Sequence, residues 1–183
     1  MTGRPAAAIE GRSTDLEGQL ADFFGLHYDR LVRLAALVCH AGVPVEDAVQ
    51  AAMEQAWKRR HTLRDAERMR PWLDQIVVRE AIRMNRRPWW GRFRASPEAS
   101  LAAAPPVADR RGGVDPTWIA LADAFRTLPA DQRAVVALHL YEGYSVEETA
   151  RLMDAGLETT RSRLRLARAR LRRELGELRE DER

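Results

Sequence analysis

The chain predicts an all-α fold of two small helical domains joined by a flexible linker, and three observations carry that expectation. Apolar residues recur at steps of three and four on both sides of residues 88–115, a stretch rich in Pro, Ala and Gly with no sustained period. No segment shows the convincing alternation of apolar and polar residues that marks a half-buried strand. The last quarter, Ser145 to Arg173, holds two helix patterns around a short turn, the outline of a helix-turn-helix.

The first helix is predicted from about Asp22 to His40, with Phe24, Tyr28, Leu31, Ala35 and Val38 in register and Phe23, Leu34 and Leu37 flanking them. Gly42-Val43-Pro44 ends it. A second helix starts near Val45, with Ala48, Ala52, Gln55 and Ala56 on one side and Val49, Met53 and Trp57 on another; the small residues allow close packing. A polar stretch from Arg59 to Arg70 follows. Pro71 then stands at an expected first helical position, and Trp72, Leu73, Ile76, Val77, Ala81 and Ile82 resume the pattern up to Arg86-Arg87-Pro88. Trp89, Trp90 and Phe93 are unusual for a solvated linker and are read as an extension of the first core.

From Pro116 the helical pattern returns through Trp118, Ile119, Leu121, Ala122, Phe125 and Leu128, then runs from Pro129 to Tyr141. Ser145 followed by Glu148 is a capping-box start, and Val146, Thr149, Ala150 and Leu152 point inward behind it. Asp154-Ala155-Gly156 makes the turn. On the last helix Leu157, Thr160, Leu164, Ala167, Leu171, Leu175 and Leu178 form one buried stripe, so Glu158, Thr159, Arg161, Ser162, Arg165, Arg168 and Arg172 face outward. Small hydrogen-bonding side chains near the helix start allow close approach to base edges, and planar guanidinium groups suit guanine or phosphate oxygens.

Composition narrows the classes. A single cysteine, Cys39, excludes an internal disulfide and fits a reducing compartment, and the four histidines show no metal-ligand spacing. No metal or cofactor is expected. No apolar run approaches the ~20 residues that cross a bilayer, and the N-terminus lacks a signal-peptide core, so a cytoplasmic protein is expected. Residues 1–18 are read as a disordered tail, in which Ile9-Glu10-Gly11-Arg12 is either a tag scar or natural sequence. The net charge of +3 conceals a pattern: residues 58–94 carry +8 and 157–173 carry +6, while the segments before, between and after them are acidic. Nucleic acid therefore has two places to touch the chain, with acidic parts left for proteins.

Taken together, these residues resemble the sigma-70 family of bacterial transcription factors, specifically the small extracytoplasmic-function (ECF) group with domains 2 and 4 alone. The second half resembles domain 4 through Leu128-Pro129-Ala130-Asp131-Gln132-Arg133-Ala134-Val135, Tyr144-Ser145-Val146-Glu147-Glu148-Thr149-Ala150 and Thr159-Thr160-Arg161-Ser162-Arg163-Leu164. The first half resembles domain 2 less closely, through Glu46-Asp47-Ala48-Val49-Gln50 with Trp57, and Trp72-Leu73 and Ile76 with Arg86-Arg87. Ala51 stands where the family usually has an acid, and Arg79 and Arg83 where it often has Asn and Asp.

The resemblance implies domain 2 over 19–87, a linker over 88–115 and domain 4 over 116–178. It implies contact with the minus-35 promoter element by Glu158, Thr159, Arg161, Ser162, Arg165 and Arg168, and with the minus-10 element by Arg64, Arg68, Trp72, Arg79, Arg83, Arg86 and Arg87. Asp47, Gln50, Glu54 and Trp57 would meet the clamp helices of the polymerase beta-prime subunit, and domain 4 the beta flap. The loop His61 to Arg70 would capture a flipped base. Partners implied are core RNA polymerase, promoter DNA and an anti-sigma protein on the Asp47 to Trp57 face, with no small-molecule substrate. The linker is long enough to thread a polymerase channel at roughly 3.3 Å per extended residue.

Two other classes compete with this reading. A stand-alone helix-turn-helix regulator needs a dimer surface and a ligand pocket, and the sequence offers no candidate for either. An enzyme on a helical scaffold could use Glu46, Asp47 and Glu54, but carboxylates on one exposed helix read as a solvated or docking face, and no nucleophile motif or phosphate loop accompanies them.

Overall fold

The computed structural model describes residues 6–63, 65–86 and 116–181, with side chains described over 17–63, 65–86 and 120–176. The predicted linker, Trp89, Trp90, Phe93, Arg64 and Arg87 lie outside the described residues. The described residues are helical, with no strand among them, as the periodicity predicts. In the first lobe, α1 (Ala6–Val38), α2 (Val45–Arg59) and α3 (Met69–Asn85) pack together, with 3-10 turns at Arg60–Thr62 and Ala66–Arg68 between the last two. In the second, α4 (Pro116–Arg126) and α5 (Ala130–Val136) precede a π-helical segment, Ala137–Tyr141, and the pair α6 (Val146–Met153) and α7 (Leu157–Asp181).

The first core forms because each of its helices carries one apolar face. Leu20, Phe24, Leu31, Leu34, Ala35 and Val38 of α1 meet Ala48, Val49, Ala52 and Ala56 of α2 and Leu73, Ile76, Val77, Val78 and Ala81 of α3. The alanines of α2 let it lie close to its neighbours. Tyr28, although in register, is 39% exposed. Helix α1 starts at Ala6, inside the stretch expected to be tail, because Ala6-Ala7-Ala8 are strong helix formers and no proline breaks the run behind them. Helix α3 starts two residues ahead of Pro71, which is tolerated there because first-turn N–H groups have no intrahelical acceptor.

The helix-turn-helix forms as its capping chemistry demands. The Ser145 hydroxyl accepts from Glu148 N–H at 3.1 Å, and the Glu148 carboxylate accepts from Ser145 N–H at 2.8 Å. The left-handed residue that ends α6 is Asp154, at φ 51, rather than Gly156. Aspartate is one of the few non-glycine residues that visits this region readily. Gly156 contributes differently: its carbonyl accepts from both the backbone N–H and the hydroxyl of Thr160, which fixes the first turn of α7.

Sequence periodicity leaves the arrangement of the lobes open, and the structure packs them against each other. Ala134, Ala137, Leu138 and Leu152 of the second lobe belong to the same buried cluster as the first core, with Tyr144 and Met153 packed on it. Arg133, 2% exposed, sends its guanidinium to the Val38 carbonyl at 2.8 Å, at the negative end of α1. At the centre stands Asp74, wholly buried on α3. Arg30 from α1 grips both of its oxygens at 2.7 and 3.0 Å, and the Tyr144 hydroxyl donates to it at 2.7 Å. Glu142 accepts from Arg30 at 2.9 Å and from Arg70 at 2.8 Å. Gly143, at φ 83, makes the reversal that turns Glu142 and Tyr144 toward the same cluster.

Three outcomes test this account. Burial pushes the Cys39 thiol up to about 12, so a disulfide reagent at pH 8 should react with the native chain far more slowly than with the denatured one, as thiolate release would report. Asp74→Ala leaves Arg30 and Tyr144 facing an empty site and should cost about 3–5 kcal/mol in urea unfolding, the usual penalty for breaking a buried pair. Hydrogen bonds from the Ser145 backbone and hydroxyl hold the Glu148 carboxyl below its ordinary pKa, so its contribution to stability is present above the ordinary glutamate range and fades as pH falls through the depressed value. Ser145→Ala should raise the Glu148 titration midpoint, read by carboxyl carbon NMR.

Candidate nucleic-acid and polymerase interface

Three exposed surfaces collect the predicted residues. On α7, Glu158, Thr159, Arg161, Arg165 and Arg168 are exposed and Ser162 is half-buried, opposite Thr160, Leu164 and Ala167. This is the split that the three-and-four spacing predicts. Arg161 is held at the helix start by Glu158 at 2.6 Å and Glu147 at 3.5 Å, so base contact requires it to exchange carboxylates for DNA. Arg165 and Arg168 make no ion pair among the described residues, which leaves their guanidinium groups available to phosphate. Arg163 behaves differently, turning inward to Asp131 of α5 at 2.9 Å and tying α7 to α5.

On α2, Asp47, Gln50, Glu54 and Trp57 are all exposed and follow one another along a single face. The buried alanines occupy the opposite side, so this face is free of the first core. Trp57 is 41% exposed, with the Arg60 guanidinium over its ring at 5.1 Å, a large apolar group held in place at the surface. Arg60 is itself fixed to Glu17 of α1 at 2.7 Å.

On α3 and the loop before it, Arg68, Arg79, Arg83 and Arg86 are exposed, and Trp72 is half-buried. The Trp72 indole N–H donates to the Thr62 hydroxyl at 3.3 Å, and Leu63 and Met69 are buried, so loop and helix form one continuous support. The arginines do not face open solvent alone. Arg79 meets Asp154 at 3.6 Å, Arg86 meets Asp131 at 4.0 Å, and Arg83 pairs with Glu80 of its own helix at 2.5 Å. A cleft of about 370 Å³ lies there, lined from α3 by Arg79, Ile82, Arg83 and Arg86 and from the second lobe by Asp131, Met153, Asp154, Ala155 and Arg163.

Sequence reasoning missed the polar cluster that joins the lobes, Arg30, Asp74, Glu142 and Tyr144, as well as the buried Arg133. One signal was present: Asp74 interrupts the apolar run from Leu73 to Val78, where a solvated acid would not fit. Its hydrogen-bond partners come from sequence positions 44 and 70 residues away, which no local pattern links. Burial raises the Asp74 carboxyl above its ordinary range, with the Arg30 guanidinium opposing that shift. Among the described residues no group of His, Cys, Asp and Glu is placed to hold a metal ion.

Comparison with known proteins gives these surfaces a family. Residues 23–91 match the family described as Sigma-70 region 2, and residues 118–171 match Sigma-70, region 4. The chain is 38% identical over 155 residues to the ECF RNA polymerase sigma factor SigM of Mycobacterium tuberculosis, covering 85% of this chain and 76% of that protein. It is 32% identical over 165 residues to the RNA polymerase sigma factor CarQ of Myxococcus xanthus, covering 86% and 89%. In fold it is similar to the sigma factor RpoE of Bartonella quintana, solved in complex with the anti-sigma factor NepR, with a TM-score of 0.65 at 24% identity over 85% of this chain and 96% of that one. CnrH, solved with the cytosolic domain of CnrY, gives a TM-score of 0.58 at 24% identity, covering 86% of this chain and 87% of that one. With both sigma regions matched and their predicted faces built on the expected helices, the chain belongs to the ECF group of the sigma-70 family, the transcription initiation factors that direct core RNA polymerase to promoters.

Proposed function

We propose a division of labour among the three surfaces. The exposed face of α7 reads the minus-35 element in the major groove, with Glu158, Thr159, Arg161 and Ser162 toward base edges and Arg165 and Arg168 toward phosphate. The observation that carries this is the clean separation of that face from the buried stripe of Thr160, Leu164 and Ala167 behind a capped, well-fixed turn. The α3 arginines and Trp72, with the loop before them, hold the minus-10 element, where single-stranded bases find an aromatic and cationic surface. Arg64 and Arg87 belong to the same proposal from their sequence positions. Asp47, Gln50, Glu54 and Trp57 dock on the beta-prime clamp helices, and domain 4 docks on the beta flap.

The chain works by binding alone. Opening a promoter requires the melted state to be held more tightly than the duplex, which stacking and charge accomplish without covalent chemistry. An anti-sigma protein covers the Asp47 to Trp57 face when the factor is idle; the sigma factor RpoE, similar in fold, was solved with an anti-sigma factor. Work on chromosomal promoters places the protein in the cytoplasm. Among the described residues no helix is long and apolar enough to cross a membrane.

Run-off transcription with purified core polymerase on pooled promoter fragments from the same genome should yield discrete new start sites; absence of transcripts, with tight operator binding by the protein alone, would point to a stand-alone regulator. In the same assay Arg161→Ala with Arg165→Ala should weaken promoter selection about 10- to 100-fold while leaving polymerase affinity intact, at about 1–3 kcal/mol per specific contact. Asp47→Arg should do the reverse, lowering polymerase affinity measured by fluorescence anisotropy. Equal losses in both variants would sink the division of labour.

A further inference from the structure

The outward side of α7 is chemically lopsided. At about 100° per residue, Ser162 and Ala169 stand opposite the buried Thr160, Leu164 and Ala167, with Arg161, Arg165 and Arg168 on one flank and Thr159 and Leu166 on the other. Leu166 is 51% exposed and lies outside both buried clusters. Exposure of a single leucine is ordinary at a protein surface. Its setting is less so. The arginines that border it are engaged with carboxylates, Arg163 with Asp131 at 2.9 Å, and Arg170 and Arg173 with Glu174 at 3.9 and 3.2 Å. Arg165 and Arg168, which make no ion pair among the described residues, lie toward the opposite flank. One side of the helix is thus prepared for phosphate, and the other presents an apolar group where no charge competes.

We infer that Leu166 is a specificity-determining residue, reading the C5-methyl group of a thymine in the minus-35 element. This rests on the assignment of α7 to that element made above. In the major groove the thymine methyl is the one apolar group that marks a base edge; guanine and adenine present hydrogen-bonding atoms, and cytosine an amino donor with no methyl beside it. A leucine side chain neither donates nor accepts, so a polar edge pressed against it gives up water and gains no partner. A methyl group in the same place is taken out of water together with the leucine, and both gain. The spacing fits. Thr159 and Leu166 share a flank and stand roughly 10 Å apart along the axis at 1.5 Å per residue, about three base-pair steps at 3.4 Å each. With Thr159 against one base pair, a helix lying in the groove carries Leu166 to another about three steps along, beyond the reach of the first turn. Contacts from Arg165 and Arg168 to phosphate set the depth of the helix, and the leucine supplies the choice of base, since phosphate contacts position and base contacts specify.

The test uses the full-length protein with purified core polymerase from the same bacterium, transcribing a promoter library whose minus-35 segment is randomised. Wild type is expected to select thymine at one position where Leu166→Ala no longer does, with every other preference unchanged. Leu26→Ala, which truncates a leucine 80% exposed on α1, should match wild type. On the selected promoter, deoxyuridine in place of that thymine removes the methyl group and nothing else. It should lower wild-type transcription about 3- to 10-fold, as expected for one methyl group taken out of water, while Leu166→Ala is indifferent to the exchange. Equal wild-type transcription from thymine and uracil templates overturns the inference, and so does thymine selection that survives in Leu166→Ala. A uniform loss by Leu166→Ala on every template assigns the leucine to a protein contact and overturns it as well. Arg161→Ala separates the two levels of the reading. Minus-35 preferences that Arg161→Ala relaxes and Leu166→Ala leaves intact reject the leucine alone, whereas a wild type with no minus-35 preference at all rejects the placement of α7 on that element and the leucine with it.

Discussion

The carboxylate of Asp74 is the charge around which both lobes are arranged. Placed on the buried side of α3, it has no access to water, and a buried carboxylate persists only where other groups replace its hydration. Arg30 supplies two hydrogen bonds from α1 and Tyr144 a third from beyond the π-helical segment. Arg30 in turn recruits Glu142, which recruits Arg70. Each member satisfies a neighbour whose own burial would otherwise be costly, so the cluster forms as a unit and specifies how the second lobe sits.

That placement differs in kind from the apolar packing inside each lobe. Hydrophobic contact is non-directional, and leucines such as Leu138 and Leu152 would accept several neighbouring surfaces. Fixed hydrogen-bond geometry is less tolerant. Arg133 reaching the Val38 carbonyl and Gln75 reaching the end of α6 add two further points, distributed across the contact, that together select one docking.

The faces proposed for DNA and polymerase were legible before the fold because they are properties of single helices. The split of α7 into a Thr160, Leu164 and Ala167 side and an Arg165 and Arg168 side follows from helical spacing, as does the line of Asp47, Gln50, Glu54 and Trp57 opposite the alanines of α2. The capping box was legible because Ser145 and Glu148 interact across three residues. What periodicity misjudged was equally local: Tyr28 lies in register on α1 but at its margin, whereas the turn Asp154-Ala155-Gly156 falls where it was read, with Asp154 as its left-handed residue.

The helices, their inward and outward faces, the helix-turn-helix and the family could all be read from the chain alone, because they are written in spacings of three and four residues and in short motifs. Packing between distant segments brings the lobes together, makes Asp74 their shared centre, and sets Arg79 and Arg86 of α3 opposite Asp154 and Asp131. The physical reason is range. Periodicity reports what one helix presents to its surroundings, whereas the polar cluster joins Arg30 to Glu142 across 112 residues, and that meeting is selected by complementary burial and hydrogen bonding between surfaces that no local pattern connects.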